Sequence, residues 1–110
     1  MEHCISGTAG WDIVPEVMDA LKGKRYRIFT KGTFGSIGLA DTIHQECSSD
    51  AEIHLTGVCT DICVISNAMV VKAMNPEMRL SVISKACAGT SRENHEAALT
   101  SMRSCQITVI

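Results

Sequence analysis

The sequence is poor in aromatic side chains, with one Trp, one Tyr and two Phe among 110 residues. So few rings offer little surface for stacking on bases, which argues against single-stranded nucleic acid as a main ligand. Charge points the same way. Ten Lys and Arg against twelve Asp and Glu give a net charge of −2. No electrostatic pull toward nucleic acid or an anionic membrane surface is expected. No apolar run reaches the roughly 18 residues of a membrane span. The first residues do not read as a secretory leader. The two prolines, Pro15 and Pro76, fall at element boundaries. Cysteine is the residue in good supply: Cys4, Cys47, Cys59, Cys63, Cys87 and Cys105. No two are spaced C-x-x-C, and no paired pattern emerges. Free thiols in a reducing cytoplasm are the simpler expectation. With 45% apolar and 20% charged residues, residues 1–110 read as a single globular domain.

The organising stretch is Glu52 to Asn75. The apolar run Ile53 to Val58 reads as a buried strand. The chain turns through Cys59-Thr60-Asp61. A long run of helix formers then extends from Ile62 to Asn75, stopping before Pro76. Thr60 or Asp61 is the expected N-cap. Cys63 thereby falls in the first turn of a helix that follows a strand. Unpaired N–H groups and the helix dipole at that position stabilise a thiolate. The same N–H groups can receive an oxyanion formed when the thiolate attacks a carbonyl. Strand, tight turn and nucleophile is a recurrent design for acyl transfer. A buried structural cysteine is the alternative.

Around this unit, Val14–Leu21 predicts a short helix with Pro15 near its first position. Lys24–Lys31 alternates polar and apolar residues and predicts a strand. Lys31 to Ser36 is a glycine-rich loop without phosphate-loop spacing. Leu39–Cys47 predicts a helix and Met78–Ser84 a strand. Thr90 to about Arg103 predicts a helix, Thr90 and Glu93 having capping-box spacing. Gln106–Ile110 predicts a last strand. The alternation predicts an α/β fold of three layers, α/β/α, on a mostly parallel sheet. Cys87 follows a strand toward the edge where ligands bind in such sheets. The apolar helix after Cys63 requires cover.

Gly57-Val58-Cys59-Thr60-Asp61-Ile62-Cys63-Val64 with Ser66-Asn67-Ala68 resembles the signature of the isochorismatase-like cysteine hydrolases, nicotinamidase branch. The resemblance runs from His3 to Ile110. It implies Cys63 as nucleophile and a cis peptide at Val58–Cys59. It also implies an oxyanion hole from the backbone N–H groups of Cys59 and Cys63. Lys31 matches the family's catalytic lysine. His3, in His3-Cys4 with Gly7-Thr8, matches a histidine ligand to a divalent metal, zinc above all. Phe34 and Asn67 are the candidates for the substrate pocket. His95 recurs in the family and reads as a packing or capping residue. The implied reaction is hydrolysis of a small carboxamide such as nicotinamide, through a thioester, to acid and ammonia.

The family's first strand, with its aspartate base and an Asp-x-His metal pair, has no match in residues 1–110. Asp12 and Asp19 lie in other contexts. The fold class is therefore this α/β fold truncated at the N-terminus. The chain reads either as the C-terminal portion of a hydrolase or as a short relative without catalysis, serving as a structural or oligomeric subunit. A redox or metal sensor built on Cys59 and Cys63 is a third reading. Apolar surface left by the missing strand predicts a homo-oligomer. No nucleic acid or membrane partner is expected.

Overall fold

The computed structural model describes residues 2–110. Helix α1 spans Pro15–Leu21 and α2 spans Ile37–Glu46. Strand β1 spans Glu52–Val58, and a π-helical turn, Thr60–Val64, leads into α3, Ile65–Met74. Strand β2 covers Arg79–Ala88, α4 Arg92–Ser104 and β3 Thr108–Val109. The three strands form one parallel sheet in the order β1-β2-β3. This is an α/β fold with crossover helices, as the alternation of elements predicts.

Each element starts where local chemistry allows. Pro15 opens α1, where its missing N–H costs nothing. Ser36 caps α2, its Oγ accepting the Leu39 N–H at 3.1 Å. The helix therefore begins two residues before the predicted Leu39. Ser91, rather than Thr90, caps α4 by accepting the Asn94 N–H at 3.0 Å. Thr90 is engaged elsewhere, and the expected capping box does not form. The last strand is shorter than Gln106–Ile110. The Ile110 N–H still bonds to Val82 O at 2.8 Å and Ser84 N–H to Ile110 O at 2.7 Å.

The core joins Ala40 and Ile43 of α2, Ala68 and Val71 of α3, Leu80 and Val82 of β2, and Leu99 and Met102 of α4. β1 is half-buried at Ile53, Leu55 and Gly57 and exposed at Glu52, His54, Thr56 and Val58. One face of β1 is covered, not both as its apolar run suggested. The predicted strand Lys24–Lys31 also differs. Its backbone pairs with no strand of the sheet among the described residues. Tyr26 and Ile28 are exposed. A period of two specifies a strand only where a neighbour offers backbone partners, and among the described residues no strand pairs with this segment. It is tied instead to α2 through the Arg27–Glu46 pair at 2.5 Å. That hydrogen-bonded pair lowers the Glu46 carboxyl and raises the Arg27 guanidinium from their ordinary pKa values. Among the described residues no helix is long and apolar enough to cross a membrane.

Candidate active site

The site forms where β1 ends. Gly57 sits at φ +124°, a conformation L side chains rarely adopt, and breaks the register with β2. Leu55 pairs with Val82, but Gly57 pairs with Cys87. The Val58–Cys59 peptide is cis. Cys59 O then accepts N–H groups from Ile62 at 3.0 Å and Val64 at 3.1 Å. These bonds close the π-helical turn that carries Cys63.

Cys63 is half-buried, and Lys31 reaches it from the loop before α2. Lys31 Nζ lies 3.4 Å from Cys63 Sγ and donates to Thr33 O at 3.2 Å. Two residues 32 positions apart in sequence are thus joined as ammonium and sulfur. Among the described residues, no carboxylate is hydrogen-bonded or paired to either of them.

A cleft of about 650 Å³ opens beside Lys31, walled by Trp11, Ile13, Ile28 and Phe29, with Asp12 at its side. Lys31 therefore belongs to both the cleft and the sulfur contact. Phe34 is exposed and outside this lining. Asn67 lies one turn after Cys63. Its Nδ2 donates to Cys63 O at 3.0 Å and Phe34 O at 3.2 Å, while its Oδ1 accepts the Ser36 N–H at 2.8 Å. It brackets the Lys31 loop onto the helix. His3 is exposed. Among the described residues no three His, Cys, Asp or Glu side chains are grouped to hold a metal. Cys87 is half-buried opposite Gly57. Burial raises its thiol pKa, and a backbone bond with Gly57 offsets part of that rise. It is thus poorly suited to act as a thiolate.

Sequence reasoning missed a second set of contacts. Thr60 and Asp61, expected as caps, do not cap the helix. Thr60 Oγ1 lies 2.7 Å from His95 Nδ1. Asp61 accepts the Thr90 hydroxyl at 2.5 Å and the Thr90 N–H at 2.9 Å. The Thr90 hydroxyl, then its N–H, holds the Asp61 carboxyl below its ordinary pKa, with a smaller contribution from His95. A threonine-aspartate pair before a helix reads equally as a cap. Only the position of α4 decides between the two uses.

Residues 1–110 match the family model described as the isochorismatase domain. A Bacillus subtilis (strain 168) protein described as the uncharacterized isochorismatase family protein PncA is 47% identical over 49 residues, 44% of this chain and 26% of that protein. The pyrazinamidase/nicotinamidase of Streptococcus mutans UA159 superposes with a TM-score of 0.82 and 28% identity, over 100% of this chain and 63% of that one. The nicotinamidase PncA of Bacillus subtilis gives 0.80 and 26%, over 99% and 62%. A pyrazinamidase of Pyrococcus horikoshii, solved in complex with zinc, gives 0.72 and 23%, over 99% and 61%, a likeness of fold. The chain spans less than two thirds of the length of these relatives.

Proposed function

The chain belongs to the isochorismatase family, and from that premise we propose that it carries the nucleophilic half of a cysteine amidohydrolase acting on a small carboxamide such as nicotinamide. The observation that carries this reading is the 3.4 Å approach of Lys31 Nζ to Cys63 Sγ, with Lys31 also lining a cleft. The names of the two nicotinamidase neighbours support the substrate class.

In the proposed reaction the Cys63 thiolate, facing the Lys31 ammonium, attacks the carboxamide carbon. The C=O electron pair moves to oxygen, and backbone N–H groups of Cys59 and Cys63 receive that oxyanion. Collapse breaks the C–N bond, and the nitrogen leaves as ammonia after taking a proton. Water then attacks the thioester, and the C–S bond breaks to give the acid and the thiolate. The proton relay is not assigned to any described residue. The Phe34 ring is exposed and outside the cleft lining, so it does not wall the pocket, while Asn67 holds the Lys31 loop in place through Phe34 O and the Ser36 N–H. Of the described residues, His3 alone is matched to a metal ligand. One histidine does not fit a metal site, which needs about three protein ligands.

The test is ammonia release from nicotinamide by the purified chain beside its Cys63→Ala variant. Release that disappears in the variant supports the reading. Release equal in both contradicts Cys63 as nucleophile. No release from either favours a C-terminal portion of a hydrolase or a non-catalytic member of the family.

A further inference from the structure

We infer that Thr60, Asp61, Thr90 and His95 form a positioning brace that sets Cys63 against Lys31. The inference rests on the reading of Cys63 as nucleophile and adds four residues to that site. Among the described residues, none of the four is hydrogen-bonded to the sulfur. They act through the turn that carries it.

The reasoning starts from what fixes each partner of the 3.4 Å contact. Lys31 arrives on a segment that pairs with no strand of the sheet among the described residues. Its loop is tied down by Asn67, which also bonds Cys63 O. Those bonds fix the loop relative to the helix, but not the helix start relative to the sheet. That second relation is set by Thr60 and Asp61. Thr60 is fully buried, with its hydroxyl 2.7 Å from His95 Nδ1. Asp61, the next residue, takes both bonds from Thr90. Thr90 comes from the β2–α4 junction and His95 from the first turn of α4. Two adjacent residues of the turn are therefore held by two residues of another element, so the turn cannot rotate without breaking polar contacts.

The junction itself is rigid. Ser91 caps α4 through the Asn94 N–H, and the His95 N–H donates to Ser91 O at 2.9 Å. Asn94 Nδ2 adds a bond to Thr90 Oγ1 at 2.9 Å. Gly89 lets the layers meet. A Cβ there would lie 2.9 Å from His95 Cβ and 3.0 Å from Asp61 Oδ1. Such close approach at one glycine, beside both anchoring residues, is what a brace between two backbones requires. Cys63 lies three residues after Thr60, within the same turn. A tilt of that turn relative to α3, on which Asn67 holds the Lys31 loop, moves Sγ relative to the ammonium.

The test uses the full chain and reads the rate of Cys63 alkylation by iodoacetamide, followed by peptide mass spectrometry. Urea unfolding of each variant runs alongside. Thr60→Val and His95→Ala should slow Cys63 alkylation about five- to tenfold while the protein is fully folded, the scale of one ordinary hydrogen bond. Thr60→Ser and His95→Asn keep a polar atom at the bonding position. Each should return the rate to within about twofold of the parent chain. Thr90 is exposed, so Thr90→Val should fold even if the buried changes do not. It should slow alkylation about two- to threefold through loss of one bond to Asp61.

Alkylation at the parent rate in folded Thr60→Val, His95→Ala or Thr90→Val overturns the brace. So does faster alkylation, the mark of a turn merely loosened, or failure of Ser and Asn to restore the rate. Alkylation needs no amide turnover. A chain inert toward carboxamides that still shows this pattern would count against amide turnover by residues 1–110 and leave the brace standing.

Discussion

An ammonium 3.4 Å from a sulfur offers little to a thiol and a full counter-charge to a thiolate. That asymmetry makes Lys31 informative. Lys31→Met should lower kcat/KM about a hundredfold, the scale of losing one charge-stabilising group in an active site. Steady-state kinetics beside a urea titration would check it, and an unchanged kcat/KM would assign Lys31 to the surface. Gly89 gives a prediction of the opposite kind, about space. Gly89→Ala places a methyl 2.9 Å from His95 Cβ and 3.0 Å from His95 Cα. Backbone must shift, and a loss of about 1–3 kcal/mol is expected from urea midpoints. Asp61 yields a pH prediction. Its carboxyl is held below the ordinary range by the Thr90 hydroxyl and N–H. A lowered folded-state pKa contributes stability above the unfolded value, and that stability is lost as pH falls through the lowered one. Thr90→Val should therefore raise the Asp61 titration midpoint, measured by NMR of its carboxyl carbon, and weaken the acid side of the stability profile.

At the scale of elements, the two serine caps are separable from the site. Ser36→Ala and Ser91→Ala should each destabilise the fold by about 1 kcal/mol, measured by chemical denaturation. Neither cap was evident in the sequence, because Gly38 obscured the start of α2 and Thr90 offered a competing cap for α4. The strand–turn–nucleophile unit was legible, since β1 follows a short apolar run and Cys63 lies four residues after Cys59. The helices also followed from periodicity and boundary residues. The π-helical turn was not legible, nor was the register break between Leu55 and Gly57. Both depend on what β2 presents to β1 rather than on either segment alone. The segment before Lys31 shows the same limit. Its alternation reads as a strand, yet no partner strand lies beside it among the described residues. Cys63 stands out from the strand–turn–helix pattern and Lys31 through family resemblance, and the structure places them in contact. Spacing along the chain could not have paired residues 32 positions apart. The roles of Thr60, Asp61, Thr90 and His95 needed the packing of α4 onto the turn.

At the scale of the molecule, the sheet of three strands among the described residues pairs β1 on one edge only. Trp11, Ile13, Val17 and Ile28 are exposed as well. Surface of this kind tends to be covered by association. We propose that the purified chain forms a homo-oligomer at micromolar concentration. Sedimentation velocity should show a species larger than a monomer, and a monomer with cooperative unfolding would contradict it. The central claim is chemical, however, and one measurement addresses it most directly. The chain would be mixed with nicotinamide, quenched in acid and mapped by peptide mass spectrometry for an acyl group on cysteine. The account predicts a nicotinoyl thioester on Cys63, absent from the other five cysteines and weakened in Lys31→Met. Ammonia release without any acyl adduct on Cys63, and undiminished in Cys63→Ala, would contradict it.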